Sequence, residues 1–278
     1  MSTSQNMTKG ALICTVLLGW ILTGSACRSR ALEAAQPELL IFAAASLTDV
    51  LSEIGDLYQN QVEVGLVFNF NGSGVLAQQI LASSKADVFV SANQEWMDVI
   101  EQADRIEAAA RRPLLSNRLV IIADAGSSWE MGAATDLCRL DFRFLALGNP
   151  EAVPAGRYAK GWLETLSCQD RSLWKAVANR VSPAPDVRAV VGQVEAAEGV
   201  LGMVYQTDYL AARDRVQRLY TVSADQGPPI RYAVSRLTHT PHPQEAESLI
   251  EFLFSSAART LFEKHGFLPL EVMPPNQD

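Results

Sequence analysis

The chain has 278 residues, 48% of them hydrophobic and 19% charged, and carries a formal charge of -8. That is the make-up of an ordinary globular protein with a sizeable core. The acidic balance argues against a nucleic-acid partner, because phosphate backbones need clustered Lys and Arg, but it leaves room for a small anion held by short-ranged backbone dipoles.

In chain order, Lys9 precedes the apolar run 11–22, short for a membrane span, and the small residues Gly24, Ser25 and Ala26 follow. A positive residue, an apolar core and a small-residue exit describe an export signal over residues 1–26, which directs the protein to the periplasm. Cleavage after Ala26 makes Cys27 the first mature residue, the place of a lipid anchor, although Gly24 stands where a leucine-like residue is usual. The other reading is ordinary cleavage with Cys27 incidental. The remaining chain, about 250 residues, is enough for one large or two smaller domains. In an oxidising compartment Cys138 and Cys168 can pair; the alternative is two separate buried thiols.

Residues 39–42 form an apolar run of strand length. Apolar residues then recur at Leu47, Val50, Leu51, Ile54 and Leu57, which is helical spacing. Ser46 is thereby predicted as the N-cap, with Asp49 three residues later as in a capping box. Residues 61–70 read as a strand, 75–83 as a helix, 86–91 as a strand and 94–103 as a helix. Strands are predicted at 118–123 and 142–147, a helix at 158–166, another at 187–197, a strand at 200–205 and a short helix at 208–213. Two further strands, 219–222 and 230–235, precede a final helix over 244–265. Such alternation implies an α/β fold, with parallel sheets covered by helices on both faces.

Four of the helix starts lie at strand exits. A helix start offers unsatisfied N–H groups and the positive end of the macrodipole, so it is a natural place to hold an anion. Ser46 stands at the first. At the second, Asn71-Gly72-Ser73-Gly74, the glycines allow tight backbone geometry and Ser73 can cap the helix or donate to a ligand. At the third, Val153-Pro154-Ala155-Gly156, proline suits the first turn and Ala155 offers only its backbone N–H. The fourth, Pro183-Ala184-Pro185-Asp186-Val187-Arg188, has Asp186 as N-cap and Val187 as the first residue inside. Tyr205 ends a buried strand, where its phenol can reach across a cleft as a neutral donor. Taken singly, each reads as a plain helix start or a core tyrosine. Together, at strand exits of an α/β chain, they point to one site at the carboxyl ends of the strands.

Six stretches carry a resemblance: Phe42-Ala43-Ala44-Ala45-Ser46-Leu47-Thr48, Ala86-Asp87-Val88-Phe89-Val90-Ser91-Ala92, Gln94-Glu95-Trp96-Met97, the run from Gly148-Asn149-Pro150 through Pro154-Ala155-Gly156 to Tyr158-Ala159, Gly202-Met203-Val204-Tyr205, and Lys264-His265-Gly266-Phe267. In that order the chain resembles the molybdate-binding periplasmic proteins of ABC uptake systems, members of the type II periplasmic binding protein superfamily, over nearly its whole mature length. The resemblance implies two α/β lobes, each a mostly parallel sheet flanked by helices, with the ligand in the cleft between them. Lobe 1 is then 37–117 plus 230–270 and lobe 2 is 118–229. In that family two serines, two backbone amides and one tyrosine hold the oxyanion, and motif by motif these fall on Ser46, Ser73, Ala155, Val187 and Tyr205. The implied ligand is molybdate or the nearly isosteric tungstate. Its metal is held only as the oxyanion, with no side chain coordinated to it and no other cofactor. The implied partners are the permease subunits of an ABC transporter, the binding protein itself being a monomer. This sequence departs from some members in having glycines around Ser73 where they carry serines, and Cys138 and Cys168 are not part of the family pattern.

Five neutral donors suit a fully deprotonated tetrahedral dianion and penalise one carrying a proton, whose O–H would find no acceptor. Phosphate is expected to be rejected on that ground, and sulfate by pocket size. Two other readings compete. One is a binding protein for another oxyanion such as sulfate. The other is a serine hydrolase, but a nucleophile elbow needs Gly-x-Ser-x-Gly and Asn71-Gly72-Ser73-Gly74 does not fit it. A triad also needs a histidine, and only His239, His242 and His265 exist, all near the C-terminus. The expectation is therefore a binding protein and not an enzyme.

Overall fold

The computed structural model describes residues 36–83 and 85–270; the predicted export signal and Cys27 lie outside the described residues. The chain begins with β1 (Glu38–Ala44), a 3₁₀ turn (Ala45–Leu47), α1 (Thr48–Gln59), β2 (Gly65–Asn71), α2 (Ser73–Ser83), β3 (Val88–Ser91), α3 (Gln94–Gln102) and β4 (Arg112–Ser116). It then crosses to β5 (Leu119–Asp124), β6 (Phe144–Gly148), α4 (Pro154–Thr165), the small hairpin β7 (Ser167–Cys168) and β8 (Arg171–Ser172), α5 (Leu173–Val177), β9 (Val181–Ala184), α6 (Val187–Ala196), β10 (Val200–Tyr205), α7 (Gln206–Ala212) and β11 (Val216–Thr221). The return leg carries β12 (Tyr232–Arg236), α8 (Pro243–Leu253), α9 (Ser256–Lys264) and β13 (Leu268–Pro269).

Two large sheets result. The first has the order β13-β4-β12-β3-β1-β2 and the second β11-β5-β10-β6-β9. The α/β class holds, but both sheets are mixed rather than mostly parallel. In the first, β1 runs parallel to β2 and β3 while β12 is antiparallel to β3. In the second, β6 is parallel to β9 and β10 while β5 is antiparallel to β10. The reason lies in the crossings. The strands by which the chain enters a sheet from the other one, β5 and β12, start at the end where the parallel strands finish, so they must run against them.

Several elements differ from their predicted form. The strand expected from residue 61 begins at Gly65, and the predicted final helix breaks into α8 and α9, where Ser255 caps α9 by accepting from the Ala258 N–H. Strands β4 and β9 carry Pro113 and Pro183 and have no clear alternation. Pro183 is tolerated because β9 is the outer strand of its sheet, where a missing N–H costs no ladder bond.

Register sets up the site. β1 and β2 pair from Glu38 with Gly65 to Ala44 with Asn71, so their exits lie side by side. β6 and β9 end together at Gly148 and Ala184, and β10 reaches the same end two residues beyond the Met203–Leu147 pair. Among the described residues no helix is long and apolar enough to cross a membrane.

Candidate anion-binding site

The exits from both sheets converge on a small cavity lined by Ser46, Ser73, Ala155, Val187 and Tyr205, together with neighbouring residues of the same turns. All five sequence-predicted residues are thus brought together, each no more than 5% exposed. A larger groove lies beside α9 and β13; it is lined mainly by apolar residues such as Leu114, Phe254, Phe262 and Phe267, with Arg231, Arg259 and Glu263 among them.

Ser46 reaches the site by a route its sequence context did not predict. It does not cap α1: the 3₁₀ turn interposes, the preceding cap position is Ala44, and neither start has a side-chain cap bond. Its hydroxyl instead lies 2.9 Å from the phenol oxygen of Tyr232, 186 residues away. No local signal could have revealed that contact. Ser73 is the first residue of α2, and its Oγ accepts from the Ala92 N–H at 3.1 Å.

The second sheet supplies the other three. Pro154 opens α4, so Ala155 is its second residue and carries an N–H without an intrahelical acceptor. Asp186 caps α6, accepting from the Ala189 N–H at 2.9 Å, which leaves the N–H of Val187 as the first of that helix. Tyr205 ends β10 and is 1% exposed, and its hydroxyl has no hydrogen-bond partner. Burial, and next the neighbouring Tyr232, push its phenol well above the ordinary range, so it stays a neutral donor.

The glycines act by closeness rather than by unusual dihedrals, since neither Gly72 nor Gly156 has a positive φ. A Cβ on Gly72 would come within 2.7 Å of the Pro185 carbonyl oxygen on the opposite side of the cleft. One on Gly156 would collide with the Gly148 carbonyl, pushing α4 and the Ala155 amide off β6.

Among the described residues, no lysine or arginine lines the cavity, and no group of three or more His, Cys, Asp or Glu is placed to hold a metal ion. Asp186, which the sequence reading assigned only to capping, also lines the cavity, but its carboxylate faces the helix amide it accepts from. An unpartnered buried phenol, two helix-start amides and two serines form a donor-rich pocket for an anion. Outside the cavity, Cys138 and Cys168 sit with Cα atoms 6.0 Å apart, within the span of a disulfide.

Comparison with known proteins fits this geometry. Residues 39–268 match the family model of bacterial extracellular solute-binding proteins. The chain is 33% identical to the molybdate-binding protein ModA of Escherichia coli, over 83% of this chain and 88% of that one. The periplasmic molybdate-binding protein of Azotobacter vinelandii shares the fold with a TM-score of 0.72 at 20% identity, over 85% of this chain and 100% of that one. The sulfate-binding protein SubI of Mycobacterium tuberculosis shares it equally, with a TM-score of 0.72 at 14% identity over 85% and 88% of the two chains. The fold alone therefore does not choose the ligand. With its model matched over most of the chain, and with two sheets whose strand exits face one cavity, this protein belongs to the bacterial extracellular solute-binding protein family, a family of binding proteins rather than enzymes.

Proposed function

We propose that the protein captures molybdate in the periplasm and delivers it to the permease of an ABC transporter. The observation that carries this reading is the cavity itself, lined by neutral donors and holding the buried, unpartnered Tyr205 hydroxyl. The similarity to molybdate-binding proteins at 33% identity supports the choice of oxyanion. In this reading Ser46 and Ser73 donate from one side, the Ala155 and Val187 amides and Tyr205 from the other. The oxyanion needs no cationic side chain, because helix-start dipoles and hydroxyls supply the field. The metal is held only through its oxygens.

Lobe 1 is assigned to residues 37–117 plus 230–270 and lobe 2 to 118–229, with Asn117–Arg118 and the segment before Tyr232 as the crossings. Ligand binding then closes the lobes on the anion. Tungstate, of nearly the same size and charge, binds as molybdate does. Hydrogen phosphate is refused because its O–H meets only donors. Residues 1–26 are removed on export, with Cys27 the candidate for lipid attachment.

Calorimetric titration of the mature protein with molybdate, tungstate, sulfate and phosphate tests the reading. Micromolar or tighter binding of the first two, with little response to the others, is expected. A preference for sulfate or phosphate would overturn it.

A further inference from the structure

A serine hydroxyl can donate or accept, so a site that selects anions by donors alone must fix which way its hydroxyls point. For Ser73 the matter is simple. Its Oγ accepts from the Ala92 backbone N–H, which can only donate, so the serine's own proton is left for the cavity.

Ser46 is controlled from further away. Its neighbour, the Tyr232 hydroxyl, is fully buried and has two hydrogen-bonding partners, Ser46 Oγ at 2.9 Å and Asn117 Nδ2 at 3.3 Å. The orientation of the Asn117 amide is set independently, because its Oδ1 accepts from the Arg118 N–H at 2.8 Å. Its NH₂ group is thereby turned to Thr207 Oγ1 at 3.0 Å and to Tyr232. An amide NH₂ only donates, so the Tyr232 oxygen must accept there. The buried phenol proton then has Ser46 Oγ as its remaining acceptor, and leaving it unpaired would cost the full desolvation of a buried donor. Burial holds the Tyr232 phenol neutral.

We propose that Asn117 and Tyr232 are positioning residues that force Ser46 to donate into the cavity, through a one-way relay from the Asn117 amide to the Tyr232 hydroxyl to the Ser46 hydroxyl to the oxyanion. The proposal rests on the oxyanion-binding reading given above. It assigns specificity to two residues that do not line the cavity. Without the relay nothing fixes the Ser46 proton, and with that proton turned away from the cavity a protonated anion finds an acceptor there.

The test uses Tyr232→Phe, which removes the link, and the nearly isosteric Asn117→Asp, which keeps the Arg118 contact but turns the outer donor into an acceptor. Molybdate is titrated by calorimetry at mildly alkaline pH, where phosphate is mainly its singly protonated dianion, and phosphate is measured by competition against molybdate. Each variant is expected to bind molybdate about tenfold more weakly, in line with one compromised hydrogen bond to a charged group, while phosphate competition stays constant or strengthens. The selectivity ratio therefore narrows. A purely structural role, or the added charge of Asp, weakens both dianions alike and leaves the ratio unchanged. That result in both variants, or unchanged molybdate affinity, overturns the relay alone. If Tyr232→Phe melts far below the wild type, Asn117→Asp decides. Wild-type protein that fails to bind molybdate overturns the functional reading and the relay with it.

Discussion

Ser46 and Ser73 carry the same hydroxyl but are held by different parts of the molecule. Ser73 leans on a backbone amide of the adjoining turn, whereas Ser46 leans on a tyrosine from the return strand β12. Both are buried, so each is pre-set before a ligand arrives. Ser46→Ala and Ser73→Ala are each expected to weaken molybdate binding by about 1–3 kcal/mol, read by calorimetry, as for a lost hydrogen bond to a charged group. Unchanged affinity in both would remove the serines from the site. A second residue-scale effect concerns Asp208, whose buried carboxyl is pushed up to about 7 by desolvation, partly offset by Arg188. Its Oδ2 accepts from the Tyr205 N–H at 3.1 Å, and its Oδ1 has no hydrogen-bond partner. Between its ordinary value of 3.8 and about 7 the folded protein holds this proton and the unfolded chain does not, so stability falls as pH rises through that window. Asp208→Asn should flatten that part of the stability-against-pH curve in denaturant titrations; an unaltered slope would show that the carboxyl titrates normally.

At the scale of elements, three of the four strand–helix junctions were legible because local chemistry marks a helix start. Asp186 caps α6 and Ser73 begins α2 within a residue or two of the sequence expectation, and Pro154 opens α4 at the expected junction, four residues before the predicted helix 158–166. The fourth was misread. Leu47 and Thr48 continue the helical pattern, but the turn through Ala45–Leu47 is 3₁₀, so the hydroxyl of Ser46 is freed for a distant partner. Capping propensity describes an isolated helix end, and here a buried tertiary contact outweighs it. Strands β4 and β9 were missed for a related reason: proline interrupts their pattern, and only their places in the finished sheets provide partners. The cysteines belong to this scale as well. A disulfide between Cys138 and Cys168 would tie the 3₁₀ turn Ala134–Cys138, which precedes β6, to the hairpin after α4 across 30 residues. Closing a loop of that length is worth about 3–4 kcal/mol in the unfolded chain. Denaturant midpoints under oxidising and reducing conditions should therefore separate, and identical curves would mean that the thiols are free.

On the scale of the whole molecule, one continuous core joins the two sheets, and polar contacts add to it beside the cavity. The Gly74 N–H donates to the Ala152 carbonyl at 3.0 Å, and the Arg157 guanidinium lies 5.7 Å from the Trp96 ring. Arg188, one residue beyond Val187 on α6, reaches Asp49 on α1 at 2.6 Å. Both side chains of that pair are partly exposed, so solvent screening limits the bond to ~0.5–1 kcal/mol. In the proposed lobe closure such a tie acts on the closed form and hence on release. Asp49→Asn should raise the molybdate dissociation rate about two- to fivefold with little change in association, measured by stopped-flow displacement. An unchanged dissociation rate would deny the pair any part in closure.

The sequence by itself determined the α/β class, three of the four helix starts at strand exits and a set of candidate donors beside them, because these depend on periodicity, capping residues and small residues close in the chain. Only the tertiary structure decided how those donors share one cavity and which way they are held. The mixed sheets come from the direction in which β5 and β12 enter. The setting of Ser46 comes from Tyr232 and Asn117, which lie far from it in sequence and meet it only once the return strand is paired. Local pattern records what a segment can do with its own backbone, whereas the partner of a buried hydroxyl is chosen by packing between segments that the pattern does not connect.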